Sequence, residues 1–128
     1  MVRVIKKEDA ENYLSKADEF LDEARDALLK SRFNAAGLNA IQAIINANDA
    51  FTTFIIGKRA SKDHREAIKT HIEAAGVIGD SSHRGILRDA LASKSEVGYS
   101  GRMVSKRIAQ DLVRDAIKFV KWTRKYVR

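Results

Sequence analysis

The stretch Asn34-Ala-Ala-Gly-Leu-Asn-Ala-Ile-Gln-Ala-Ile-Ile-Asn-Ala-Asn-Asp-Ala-Phe-Thr-Thr-Phe-Ile-Ile56, followed by Gly57-Lys-Arg-Ala-Ser-Lys-Asp-His64, decides the fold of this chain. Most surface helices carry a wide polar face. Here Asn39, Gln42, Asn46, Asp49 and Thr53 recur at intervals of 3, 4, 3 and 4, which gathers them into one narrow seam. A helix with that pattern is packed on most of its sides. Its seam must face water, a partner or a site. One reading makes the seam the solvent line of a central helix. The other makes it a subunit contact, where Asn and Gln at interface positions set the register.

Working outward, residues 8–30 predict an amphipathic helix. Ala10, Tyr13, Leu14, Ala17, Phe20, Leu21, Ala24, Ala27 and Leu28 follow the i, i+3, i+4, i+7 spacing. Glu8, Asp9 and Glu11 lie in its first turn, where the helix dipole favours them. The second helix is expected over about 32–56, with Ser31 as its cap and Gly57 closing it. Ser61 is the expected cap of a third helix over about 62–75, ending before Gly76. A shorter fourth helix is expected over about 82–93, started by Asp80, Ser81 or Ser82. The segment Lys94-Ser-Glu-Val-Gly-Tyr-Ser-Gly101 reads as a loop. A last helix, capped by Ser105 or Ser100, runs to about 126. No segment alternates with period two, so no strand is expected. The fold class that follows is all-α: an up-and-down helical bundle of four to five helices, three long and two shorter.

The totals agree with one domain spanning residues 1–128. Hydrophobic residues make up 45% and charged residues 32% of the chain, which excludes a disordered composition. No apolar run reaches the roughly 18 residues that a membrane span needs. The N-terminus is charged too early for a secretory signal, so a cytoplasmic location is expected. The chain has no cysteine, which removes disulfides, thiolate zinc sites and thiol nucleophiles from consideration. The net charge of +7 is unevenly distributed: residues 1–57 carry −2 and residues 58–128 carry +9. The basic half is a candidate surface for phosphates or acidic partners. On the last helix Arg107, Arg114, Lys118, Lys121, Lys125 and Arg128 fall on one broad stripe, either a solvated face or a phosphate-backbone contact.

In sequence order, Tyr13-Leu-Ser-Lys-Ala-Asp-Glu-Phe-Leu21, Asn34-Ala-Ala-Gly-Leu-Asn-Ala40 and Ala47-Asn-Asp-Ala50 are followed by Gly57-Lys-Arg-Ala-Ser-Lys-Asp-His-Arg-Glu-Ala67. Then come Lys94-Ser-Glu-Val-Gly-Tyr99, Val104-Ser-Lys-Arg-Ile-Ala109 and Ala116-Ile-Lys-Phe-Val120. Taken together, over nearly the whole chain, these segments resemble HEPN domains, in particular the short stand-alone prokaryotic kind. The resemblance implies a helical bundle of four to five helices that forms a homodimer. It also implies a toxin–antitoxin-type pairing with a minimal nucleotidyltransferase, and binding of nucleotide or RNA. Active members of that family are metal-independent endoribonucleases. They carry an Arg, four to six residues and a His, brought together across the dimer cleft, so neither metal nor cofactor is expected.

Cutting RNA without a metal needs a base for the 2′-hydroxyl, an acid for the leaving oxygen and a cation for the phosphorane charge. Histidine suits the first two and arginine the third. Arg59-x4-His64 and Arg65-x5-His71 fit the spacing. Arg59 is followed by Ala60 where the family carries a polar residue, and Arg65 and His71 point about 120° apart on one helix. At the family's usual position, Arg88 and Asp89 are followed at the required distance by Ser93, Lys94 and Ser95, without a histidine. The candidate catalytic pair is therefore His64 with Arg59. Asp63 is expected to orient the His64 ring, and Lys58, Lys62 and Arg65 surround it with positive charge. Asp49 is expected to border the same site. Arg88, Asp89, Lys94 and Tyr99 form a second candidate set for gripping a phosphate or base. His71 and His83 read as structural or surface residues, and the three histidines lack paired metal-ligand spacing. Three functions follow: nucleotide or RNA binding, metal-independent endoribonuclease action through His64 and Arg59, or a scaffold with no nucleic-acid role.

Overall fold

A computed structural model of the chain describes residues 2–4, 8–60 and 63–127. Five helices account for most of it. They are α1 (Asp9–Leu29), α2 (Phe33–Ile56), α3 (His64–Ile78), α4 (Arg84–Tyr99) and α5 (Lys106–Tyr126). Helix α2 lies in the middle and packs against each of the other four. This is why its sequence is apolar almost all round. Ala36, Ala40, Ile41, Ala43, Ile44, Ala47, Ala50 and Phe51 are each 1% exposed or less and fill about half of its circumference, while Gln42, Ile45 and Asp49 on the other side are half-buried.

The flanking helices each contribute one stripe. Helix α1 buries Ala10, Leu14, Ala17, Leu21, Ala24 and Ala27. Alanine at four of those six positions lets its backbone approach α2 closely. Helix α5 buries Leu112, Val113, Ala116, Phe119, Val120 and Trp122 and keeps its cations outside. Gly57 ends α2 with φ of 65°, a left-handed conformation in which a side chain would be strained, and its N–H bonds back to Thr53. Ser105 caps α5 by accepting from the Ile108 N–H at 3.2 Å.

Several local expectations are corrected. The chain does hold strands: β1 (Val2–Val4) and β2 (Lys58–Ala60) pair antiparallel, with Arg3 opposite Arg59. A three-residue ladder is too short to show an alternating pattern, so nothing in the sequence marked it. The α3 cap is Asp63, whose carboxylate accepts from the Arg65 N–H at 2.8 Å; Ser61 lies outside the described residues. Helix α3 runs through Gly76 and stops at the left-handed Gly79 (φ 69°). The cap position of α2 is Arg32, without a side-chain cap bond, and Ser31 takes a positive φ of 57° in the turn before it. The residues read as a loop over 94–101 are helical up to Tyr99. Gly98 does not stop the helix, because it sits against Leu38 of α2 while Val97 packs on the core; Gly101 lies past its end.

A cluster of rings fills the end of the core beside the α3–α4 turn. His71 and Trp122 contact each other and each contacts both Phe51 and Phe119, with centroids 4.7–6.0 Å apart, and the His83 ring stacks on Trp122 at 4.8 Å and 12°. His71 is fully buried, as the structural reading of that residue expected. Its placement also removes the Arg65–His71 pair from consideration, since Arg65 is exposed and His71 is in the core.

Candidate phosphate-facing pocket

A small cavity of about 90 Å³ opens between α2, β2, α3 and α4. Four of the residues singled out in the sequence line it: Asp49, Asp63, His64 and Lys94. They come from three helices and are up to 45 positions apart, so only the fold brings them together. On α4 the wall is Leu87, Leu91 and Lys94, the i, i+4, i+7 face of that helix. On α3 it is His64 and Ala67, one turn apart, with the Asp63 cap before them. Helix α2 supplies Ile45, Asn48 and Asp49, and β2 supplies Ala60.

The same helical geometry keeps other candidates off this pocket's wall. Arg88 and Asp89 fall on the solvent side of α4, and Tyr99 is 81% exposed at its far end. The expected grouping of Arg88, Asp89, Lys94 and Tyr99 is therefore corrected: of these four, Lys94 alone lines the pocket. Arg65 is exposed on α3, off the pocket wall. Lys58 turns to α3, with its ammonium 3.3 Å from Glu73. Lys62 lies outside the described residues. The role expected of Asp63 is also corrected, because its carboxylate accepts from a backbone N–H and serves as the α3 cap.

Arg59 is held in place by its neighbours. Its Nη1 lies 3.5 Å from Asp49, its guanidinium stands 5.3 Å from the centre of the Tyr13 ring, and its Nε is buried without an acceptor. Burial pushes the Asp49 carboxyl up to about 7, against the opposing pull of Arg59 and Lys16. Arg59 is thus a tether that binds β2 to α2 and α1 rather than a free cation at the pocket mouth.

The residue the sequence reading missed is Asn48. It is 4% exposed and lines the pocket, and its Oδ1 lies 2.8 Å from His71 Nδ1. An amide oxygen can only accept, so the proton of His71 sits on Nδ1 and its buried Nε2 is left as a bare acceptor. Burial holds His71 down to about 4, which keeps the ring neutral. The available signal was a polar residue lying beside the seam, on the apolar side of the most apolar helix of the chain.

The wider groove of about 660 Å³ lies between α1 and α2. Asn39, Gln42 and Asn46 of the polar seam form one side, and Glu19, Asp22, Glu23 and Lys16 of α1 form the other. It sets three carboxylates against one lysine, where the small pocket sets two against one lysine and a histidine, so it is the less suitable of the two for a nucleotide. The seam thus divides: its first three members face this groove, Asp49 faces the small pocket, and Thr53 is buried. On α5, Arg114 is paired with Asp111 and Arg124 with Asp18, while Arg107, Lys118, Lys121 and Lys125 are exposed; Arg128 lies outside the described residues. No group of three or more potential metal ligands converges among the described residues, and no helix there is long and apolar enough to cross a membrane. Comparison with models of known protein families and with curated proteins finds no match.

Proposed function

We propose that this chain is a nucleotide- or RNA-binding helical module of the HEPN type. On this reading it acts as a cytoplasmic homodimer and is one member of a toxin–antitoxin-type pair with a nucleotidyltransferase. The family part rests on the order of the resembling segments along a five-helix bundle. The observation that carries the binding part is the convergence of His64 and Lys94 on one small pocket, in the half of the chain that holds a +9 charge. The α3 start brings His64 to the pocket and α4 brings Lys94, groups that can donate to an anion.

Binding is favoured over cutting by the state of Arg59. A catalytic arginine must be free to neutralise charge as it develops on the phosphorus. Arg59 is committed to Asp49 and stacked on Tyr13, and freeing it would leave Asp49 buried without its partner.

The test is incubation of the protein with end-labelled single-stranded RNA in EDTA, alongside His64→Ala. Retention of intact RNA at low salt, weakening as salt rises, supports a binding module. Cleavage by the wild type that is lost in His64→Ala replaces it with the ribonuclease reading. Neither retention nor cleavage leaves the scaffold reading.

A further inference from the structure

We infer that the pocket between α2, α3 and α4 takes a single terminal phosphate, the phosphomonoester end of an RNA or of a mononucleotide, with Asn48 as the donor at its floor. The inference rests on the nucleotide- or RNA-binding reading and names the group recognised. Size is the first argument. A cavity of about 90 Å³ holds about three water molecules at roughly 30 Å³ each. Small-molecule sites that swallow a whole ligand run to roughly 300–1,000 Å³. A base or nucleoside cannot enter, but one compact group projecting from a larger ligand can. A terminal phosphate presents three free oxygens to such a pocket, where an internal phosphodiester presents two and carries chain on both sides, which favours an end.

The second argument is the set of hydrogen-bonding groups. Asn48 is a nearly fully buried polar side chain in the pocket wall. Its Oδ1 is taken by His71 Nδ1–H, and among the described residues its Nδ2 has no acceptor. Lys94 adds an ammonium, and His64 adds a ring at the first residue of α3, a helix of 15 residues. Among the described residues the ion pairs involve neither Lys94 nor His64. Two carboxylates share the wall: Asp63 keeps its charge while accepting from the Arg65 N–H, and Asp49 lies 3.5 Å from Arg59 with its carboxyl pushed up to about 7, so Lys94 is the cation that must offset them. The pocket therefore offers unspent donors to a ligand, and a phosphate with its oxygens is an acceptor for them. His71 acts here as a positioning residue, since its Nδ1–H fixes the Asn48 amide with Nδ2 left for the ligand.

The experiment compares binding of one short oligoribonucleotide with a 5′-phosphate, a 3′-phosphate and hydroxyl ends, with AMP, adenosine and inorganic phosphate as small probes. Two variants accompany the wild type. Asn48→Asp keeps an oxygen for His71 Nδ1–H but replaces the pocket donor with a carboxylate oxygen. Lys94→Gln removes the ammonium. The expected result is that a terminally phosphorylated RNA, or AMP over adenosine, binds at least about tenfold more tightly, and that both variants abolish this preference. A preference for the RNA end alone assigns the site to RNA, and a preference for AMP as well assigns it to any phosphomonoester. Equal binding of phosphorylated and hydroxyl RNA overturns the inference and leaves the RNA-binding reading standing. A phosphate preference that survives in both variants overturns the assignment to this pocket. Failure of every probe to bind overturns both. Circular dichroism of each variant separates a lost site from a lost fold.

Discussion

The Asp80 carboxylate accepts from Trp122 Nε1 at 2.8 Å and, through the same oxygen, from the Tyr126 hydroxyl at 3.2 Å. Those two donors stand one turn apart on α5, while Asp80 lies in the turn between α3 and α4. Hydrogen bonds from Ser82, Trp122 and the Ser82 N–H hold the Asp80 carboxyl below the usual carboxylate range. The contact fixes the last helix to the turn that starts α4, and α4 forms one wall of the pocket. Replacement by alanine leaves the buried Trp122 N–H without its acceptor. We expect Asp80→Ala to lower the urea midpoint and shift Trp122 emission, and Asp80→Asn to do so less. Wild-type midpoints in both variants would show that the contact carries no stability.

Asp49 and His71 give opposing pH dependences. His71 is held down to about 4 from an ordinary 6.5, chiefly by burial, so the unfolded chain binds the extra proton between those values. Stability from this group is fully present above 6.5 and is lost as pH falls towards 4. Asp49 is raised to about 7 from 3.8, again chiefly by burial. Here the folded chain binds the extra proton, so stability is fully present below 3.8 and is lost as pH rises through 7. The contributions are about 3 kcal/mol for His71 and about 4 kcal/mol for Asp49, and over about pH 4 to 6.5 the two slopes largely cancel. The expected wild-type profile there is nearly flat. In Asp49→Asn the His71 slope is exposed, and stability should rise with pH over that range. A flat profile in that variant would contradict the assignment.

The Arg59–Asp49 pair should behave as a structural tether. Arg59→Met removes the ion pair and leaves Asp49 in a site that already disfavours its charge. The expected loss is larger at pH 8 than at pH 5, because without Arg59 the Asp49 carboxyl titrates above about 7 and must take up a proton that the wild type has largely released at pH 8. Chemical denaturation at the two pH values measures the difference. Equal losses at both would show that Asp49 is not the cause.

Two glycines should respond in opposite directions to the same substitution. Gly57 has φ of 65°, so Gly57→Ala should cost about 1 kcal/mol or more. Gly76 is an exposed helical position with no atom within 4 Å of an added Cβ, so Gly76→Ala should add about 0.5–1 kcal/mol. Thermal melts of the two variants, moving to opposite sides of the wild type, check both.

The parts of this molecule that were legible in the sequence are those with a long period. The seam in α2 and the stripes of α1 and α5 fixed the central helix and its two long neighbours, because burial acts over many turns. What the sequence did not show is governed by one or two contacts. Gly98 in α4 looks like a helix breaker until it is set against Leu38, and β2 exists only because β1 lies beside it. The pocket gathers residues the sequence offers separately: His64 by its basic surroundings, Asp49 by its place before Gly57 and Lys94 by the segment the family resemblance marks, while Arg88 and Tyr99 of that same set lie off its wall. The helix turned them away. Asn48 went unnoticed because its role depends on His71, 23 residues later.

The most direct measurement is fluorescence anisotropy of a labelled single-stranded RNA titrated with the protein in EDTA over a range of salt. Binding at low salt whose logarithm falls linearly with the logarithm of salt, with a shallower slope in Lys94→Gln, is the predicted result. No binding at low salt, or a slope that Lys94→Gln leaves unchanged, would contradict a nucleic-acid role for this pocket.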